Sequence, residues 1–438
     1  MTLVPSFLAF VQPLAWTMSA PSFRRFLTLV TGWIFAPRRT VSGMLIAAGV
    51  AGTSHHAAYY RFFSTARWLL DQLGLILFSL LLPLLDAQQP VKLTLDDTHT
   101  RKRGLKIFGT GMHPDPLLST RKKAVVTWGH SWVVLAVVVR LRCCPGRVFS
   151  LPILVRLYLN HVTAQRTRTA HRTRPELAVE LLQVVCGAYP ERRFHSLVDS
   201  SYAGETVLGH LPSNCDQTSR LPLNARLYDA APPRAPGTNG RPRKRGTRLP
   251  TPEQMLVPRA RRVEVAIYGR KDRVRLVDTV AHWYSLPTRR LRIVAVDPLR
   301  GGRPIQAFYS TRIEHSAEQV LTEYSERWSI EETFQGSKSH LGFAEPQGWS
   351  RLSALRTAPL AMLLYSLIVV WFEQTGHEAY RPLLRPWYRT KTRPSFLDML
   401  TTLQRESLGE TLSAKLGDSQ LSRNLLDLLF GATEAAGP

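Results

Sequence analysis

The run AVVTWGHSWVVLAVVVRL, Ala124 to Leu141, constrains the fold more than any other stretch, because a segment this long and this rich in β-branched side chains reads as a strand. Two shorter strand-like stretches precede it, VKLTLDDT from Val91 and LKIFGTG from Leu105. A helical stretch follows, PELAVELLQVVCGAY, opened by Pro175 and carrying Leu and Val at helical spacing. Then comes a short apolar strand that ends on Asp199, with another helix after it. Three strands, a helix, a strand and a helix predict a mixed α/β sheet.

That order suits an RNase H-like core, with residues 91–210 as its first part. Residues 1–90 hold only two acids, Asp71 and Asp86, and read as helical. RRTVSGMLIAAG and TSHHAAYYRFF look like two short helices, with Gly49 and Gly52 in the turn and Ser54 as a cap. Such a pair is either a DNA-reading helix-turn-helix or part of an ordinary bundle, so the unit is expected to bind DNA or to dimerise. Residues 211–314 interrupt the core. APPRAPGTNGRPRKRGTRLP, Ala231 to Pro250, carries six basic residues and no acid, the composition of an exposed loop. Beyond it VEVAIYGR, VRLVDTV, LRIVAVDP and PIQAFYST alternate as antiparallel strands, a β-rich insertion. Residues 315–375 turn helical and complete the core, and residues 376–438 form a C-terminal helical region. The apolar runs LGLILFSLLLPLL (Leu73 to Leu85) and AMLLYSLIVVWF (Ala361 to Phe372) are short for a bilayer and read as core helices.

Charge narrows the partners. Lys and Arg number 57 against 32 Asp and Glu, a formal +25 over 438 residues. Such an excess favours a polyanion, nucleic acid or an anionic membrane, held through phosphate contacts. No basic amphipathic helix carries the charge, which disfavours the membrane. The four cysteines have neither zinc-site nor disulfide-framework spacing and read as cytosolic thiols, and the N-terminus lacks the basic start of a signal peptide, so a cytoplasmic location is expected.

Acids in so basic a chain stand out where they cluster. In YSERWSIEETFQGSKSHLGF, a helix advancing about 100° per residue places Tyr324, Arg327, Glu331 and Lys338 within an arc of about 60°. Ala317, Leu321 and Trp328 fall on a neighbouring arc as a stripe to be buried, while Glu332 points about 100° away from Glu331. The plain alternative is a surface pair, Arg327 and Glu331 at i, i+4, contributing only ~0.3 kcal/mol. Two further acids end apolar strands. In KLTLDDTHT, strand alternation puts Asp96 on the polar face with Lys92 and Thr94, which favours Asp96 over Asp97 as a ligand. In HSLVDSSY, Asp199 is either a ligand or the N-cap of the following helix. Two strand-end carboxylates and a third on a helix packed across them make a set of hard oxygen donors suited to Mg²⁺, which keeps several waters and takes one or two carboxylates plus substrate phosphate. A pair of such ions can drive in-line displacement at phosphorus.

The spacing Tyr, two residues, Arg, three residues, Glu, six residues, Lys is met in full by Tyr324, Arg327, Glu331 and Lys338, and with it the chain resembles a DDE transposase of bacterial insertion sequences over about residues 40 to 375. Asp96, Asp97 and Thr98 resemble that family's Asp-x-Thr at a strand end, and Asp199, Ser200 and Tyr202 its second acid followed by a small residue and an aromatic. The resemblance implies that Asp96, Asp199 and Glu331 are catalytic and bind two Mg²⁺ ions, with Mn²⁺ able to substitute. It implies that Tyr324, Arg327 and Lys338 contact DNA at the transposon end, and that Trp283 in the insertion is a candidate for stacking on a flipped base. The partners expected are double-stranded DNA, both terminal inverted repeats and target, and further copies of the chain in a dimer or larger synaptic complex. The expected activity is cut-and-paste transposition. A nuclease that cuts without joining and a retired DNA-binding protein are the alternatives.

Overall fold

Alternating strand and helix signals along the chain resolve into one large sheet with helices on both faces. The computed structural model describes the chain apart from residues 116, 121, 234–240, 242, 268–269, 300–303, 383–390, 392, 418–420, 423 and 427–438. Five helices come first: α1 (Pro5–Val11), α2 (Ala20–Phe35), α3 (Val41–Ala47), α4 (Ala57–Ser64) and α5 (Leu70–Leu81). Then follow β1 (Val91–Arg101), β2 (Gly111–Pro114), β3 (Val126–Arg140), β4 (Val148–Tyr158), α6 (His161–Arg166), α7 (Arg174–Ala188), β5 (Phe194–Val198), α8 (Glu205–Leu208) and β6 (Cys215–Leu221). The next stretch holds β7 (Leu227–Tyr228), β8 (Arg248–Leu249), α9 (Pro252–Arg259), β9 (Arg261–Ile267), β10 (Arg270–Trp283), β11 (Leu286–Pro298) and β12 (Gln306–Ser310). After β12 come α10 (Ala317–Glu326), α11 (Ser329–His340), α12 (Arg351–Trp371), α13 (His377–Ala379) and α14 (Phe396–Leu416).

The sheet runs β2-β3-β1-β5-β6-β12-β11-β10-β7-β8, with β4 on β3 and β9 on β10. β4, β3 and β1 are antiparallel, whereas β1, β5 and β6 are parallel, joined by the α7 and α8 crossovers. The fold is therefore mixed α/β, as the sequence pattern predicts. From β6 the sheet continues antiparallel into β12, β11 and β10, so the strands of the expected insertion extend the core sheet instead of standing apart from it. β6 itself lies inside the span read as insertion, although it pairs with β5.

One strand expectation fails and one strand goes unread, each for an identifiable reason. LKIFGTG is not a strand: Gly109 turns the chain at φ +78, and β2 starts only at Gly111. β4 goes unread because Pro152 interrupts it. In the sheet that proline is tolerated, since β4 is an edge strand and Pro152 sits opposite Ala136, next to a bulge in β4 that leaves Ile153 without a partner residue in β3.

Helices cover both faces. One apolar core takes in α1, α2, α4 and α5, the strands β1, β3 and β4, and α7, α11, α12 and α14. The N-terminal helices thus share the core of the sheet, and the Trp33 indole donates to the Leu341 carbonyl at 2.8 Å. Between α3 and α4 the turn uses Gly49 at φ +76, but Ser54 is not the cap; the Ala57 amide donates to His55 Nδ1 at 3.2 Å. α5 approaches β4 so closely that a Cβ on Gly74 would lie 2.0 Å from the Ile153 carbonyl oxygen. The helical stretch Arg351–Ala379 has the length and hydropathy to cross a membrane, yet 94% of its most apolar window is buried inside the fold. Residues 234–240 and 242 of the basic loop 231–250 lie outside the described residues.

Candidate active site

Strand pairing brings the first two acids together. β1 and β5 run parallel with Leu95 opposite Val198, so one further residue along each strand sets Asp96 beside Asp199. Asp96 and Asp97 then leave β1 on opposite faces. Asp97 is tied down on the α7 side: Tyr202 Oη donates to it at 3.1 Å, and Arg174 Nε lies 3.3 Å away. Asp96 faces the C-terminal helices and accepts from Arg327 Nη1 at 2.7 Å. Burial pushes the Asp96 carboxyl up to about 7, with Asp97 and Asp199 adding to the rise and Arg327 opposing it. Asp199 caps the short turn after β5, Oδ1 accepting from the Ser201 amide at 3.2 Å and from Ser200 Oγ at 2.6 Å. The capping role foreseen for Asp199 is therefore real, and the residue still lies near enough to raise both neighbouring aspartates.

The third acid arrives on a broken helix. The sequence predicts one helix from Ser316 through Lys338, but the structure divides it at Arg327–Trp328, where successive amides bond three residues back, Arg327 to Tyr324, Trp328 to Ser325, Ile330 to Arg327 and Glu331 to Trp328. The tighter turn changes the phase. Ala317 and Leu321 are buried as expected and Tyr324 is buried beside them, but Trp328 swings out to 49% exposure instead of joining the stripe. Arg327 keeps the expected side: its Nη2 donates to Glu331 at 3.0 Å while its Nη1 holds Asp96. Glu332 points away to Arg147 at 2.8 Å.

Two expectations about DNA contacts change accordingly. Tyr324 is only 4% exposed, its ring packed on Phe308 with the Arg220 and Arg327 guanidiniums alongside, so in this arrangement it supports Arg327 and does not face a ligand. Arg327, with 10% of its side chain exposed, spends both terminal nitrogens on carboxylates of the protein. Lys338 is half-buried; burial lowers its ammonium pKa and Asp115 works against that, with Arg101 close by. Trp283 is partly buried against the insertion's own core, the ordinary packing role.

Several residues that place the broken helix escaped sequence reading. Glu326, at the end of α10, accepts from Lys92 Nζ at 3.0 Å and from Arg140. Glu323 meets His315 Nδ1 at 3.0 Å and Lys92 at 3.4 Å; burial pushes its carboxyl up, but the close contact with His315 and the charges of His195 and Lys92 outweigh that and hold it down at about 2. Under the break, Ser150 Oγ contacts Thr94 Oγ1 at 2.8 Å and Ser329 Oγ at 2.6 Å, and Thr333 donates to the Ser150 carbonyl at 2.7 Å. These hydroxyls let α11 lie low on the sheet. Their partners stand far apart in sequence, and no local signal marks them.

As they stand, no three His, Cys, Asp or Glu side chains among the described residues are drawn together closely enough to hold a metal ion. The donor chemistry nevertheless suits one. Asp96, Asp97 and Asp199 crowd negative charge where the parallel strands β1 and β5 meet; Arg174 answers Asp97, and the Arg327 guanidinium stands between Asp96 and Glu331.

A family model described as DDE superfamily endonuclease matches residues 13–278, a span that contains Asp96 and Asp199 and ends before Glu331. No curated protein matches the chain. Among solved structures it is similar to a piggyBac transposase synaptic complex with hairpin DNA, at 9% identity and a TM-score of 0.41, over 93% of this chain and 75% of that one. A likeness that distant supports no functional argument.

Proposed function

The chain belongs to the DDE superfamily of endonucleases, and from that membership we propose that it is a transposase with an RNase H-like catalytic core, of the insertion-sequence group with the Tyr-Arg-Glu-Lys helix motif. The observation that carries the reading is the meeting of Asp96 on β1 and Asp199 after the parallel strand β5 with Glu331, which reaches Asp96 through one shared arginine. The strand sequence β4-β3-β1-β5-β6, antiparallel and then parallel, supports the RNase H-like assignment.

In this reading Asp96, Asp199 and Glu331 would hold two Mg²⁺ ions, which supply Lewis acidity to the scissile phosphate and lower the pKa of an attacking water or 3′-OH. The protein's own groups do the placing. Asp97, fixed by Arg174 and Tyr202, anchors the middle of β1 so that Asp96 keeps its direction. Arg327 serves as the internal counter-ion and must release Asp96 when a divalent cation arrives. Once freed, its planar fork is suited to a phosphate oxygen pair. Lys338, with Arg101 beside it, offers a second cation farther along the same helix. The net charge of +25 holds the DNA backbone around this acidic centre. Cleavage at the ends of its own element, followed by joining of the 3′-OH ends to a target in a synaptic dimer or larger complex, completes the proposed activity.

Incubating the purified chain with Mg²⁺ and labelled duplexes that end in the inverted repeats flanking its gene tests this reading. Nicking at the repeat terminus and joined products are expected. Nicking without joined products would favour the simple nuclease, and neither would overturn the proposal.

A further inference from the structure

Beyond the acids, the chain ends of β1 and α11 converge on a surface that the catalytic reading does not use. The loop Gly104–Phe108 after β1 and the segment 344–350 after α11 are fastened together: buried Lys102 donates to the Ala344 and Pro346 carbonyls at 2.8 and 2.7 Å, and the Phe108 amide to the Trp349 carbonyl at 3.2 Å. Gly348 fits against Ser353 with no room for a Cβ, and Ser350 caps α12. The Trp349 backbone is thus held on both sides, while its indole is left 66% exposed. Lys106 Nζ lies 5.8 Å from that ring. On the other flank of the loop, the half-buried Trp128 indole donates to the Gly104 carbonyl, and Arg166 lies 5.3 Å from its ring. Arg351, the first residue of α12, adds a third exposed cation above Phe108.

What sets Trp349 apart from a singly exposed side chain is its setting, a backbone held on both sides and a ring with cations around it. Flat aromatic faces interleaved with cations fit unpaired bases and their phosphates better than they fit a duplex, whose bases stack on one another, or a purely apolar protein surface, which would leave Lys106, Arg166 and Arg351 without counter-charge. We propose that the Trp349–Trp128 surface is a single-stranded DNA platform, which receives a strand that has left the acidic site past Lys338. This inference rests on the transposase reading for the source of the strand, but not for its measurement.

Binding of the full chain to a labelled oligothymidylate and to a duplex of equal length, by fluorescence anisotropy in EDTA so that no DNA is cut, tests it. Trp349→Ala should weaken oligothymidylate binding roughly tenfold, within what one stacked base contributes, and leave duplex binding unchanged. Trp349→Phe should retain most of the affinity, which separates stacking from a folding defect, and matching thermal melts check the fold. The double variant Lys106→Ala/Arg351→Ala should flatten the slope of log affinity against log salt by about 1.4, for two lost single-strand contacts. Unchanged oligothymidylate binding in Trp349→Ala, an equal loss on duplex, or a change only in oligomeric state by light scattering would each overturn the platform. Since no cleavage is involved, failure of the wild type to nick DNA would remove the transposase reading and leave this result standing.

Discussion

Arg327→Ala removes the one cation that joins Asp96 to Glu331. The two contacts differ in worth. Glu331 has 38% of its side chain exposed, so its i, i+4 pair with Arg327 adds no more than ~0.5 kcal/mol. Asp96 and Arg327 are 16% and 10% exposed at 2.7 Å, and breaking such a buried pair from one side typically costs about 3–5 kcal/mol, because the remaining charge is stranded. Burial already holds the Asp96 carboxyl at about 7, so near neutral pH it can escape by taking up a proton, and the lower end, ~3 kcal/mol, is expected. Urea unfolding at pH 7 in EDTA should show that loss. Millimolar Mg²⁺ should restore part of it, since a divalent ion then meets the acids without competing with the guanidinium. A loss below about 1 kcal/mol, or a variant indifferent to Mg²⁺, would refute the idea that Arg327 is the counter-ion of a metal-binding acid cluster.

Three other outcomes follow from the packing and charge. Gly74→Ala should destabilise by more than ~2 kcal/mol in urea unfolding, because its Cβ would sit 2.0 Å from the Ile153 carbonyl and α5 would have to lift off β4; a neutral result would mean that the contact is not tight. Glu326→Gln should cost about 2 kcal/mol and reduce DNA nicking as well, since α10 and the break that carries Arg327 lose their tie to Lys92 and Arg140; full nicking by this variant would make the clamp dispensable. Burial lowers His113 and His195 to about 4 and His130 to about 3, so the unfolded chain takes up protons near pH 6.5 that the folded chain refuses, and stability present above 6.5 should fall as pH drops towards 4. Each contributes up to ~3 kcal/mol, while Asp96 and Asp97, raised by burial, act in the opposite sense and offset part of it; a urea midpoint that stays flat across that range would count against buried neutral imidazoles.

What was legible in the sequence was whatever a local period or strand end encodes. Leu93 and Leu95 announce a strand, and the parallel mate ends before Asp199 as the sequence suggests, but β1 runs on past Asp96 to Arg101 because its polar second half still pairs with β3. The mixed sheet follows from their order. β4 was hidden because Pro152 argues against a strand, and only the edge position beside the bulge at Ile153 makes it tolerable. The helix phase was right for Arg327 and Glu331 and wrong for Trp328, because bonds tightened to three residues at the break alter the rotation per residue, and nothing in WSIEE advertises that. Least legible was what Arg327 does with its charge. Spacing placed it near Glu331, but its partner Asp96 lies 231 residues away on a strand, and only the packed helix reveals that the cation is turned inward. The same holds for Lys92, Arg140 and Glu326, whose contact depends on three elements meeting.

The most direct test of the assignment compares Glu331→Gln with Glu332→Gln, neighbours of identical chemistry that the structure separates, one on Arg327 beside Asp96 and the other on Arg147. On labelled element ends with Mg²⁺, Glu331→Gln should bind the DNA and fail to nick it, whereas Glu332→Gln should nick close to the wild-type rate. Nicking retained in Glu331→Gln, with or without a defect in Glu332→Gln, would contradict the account.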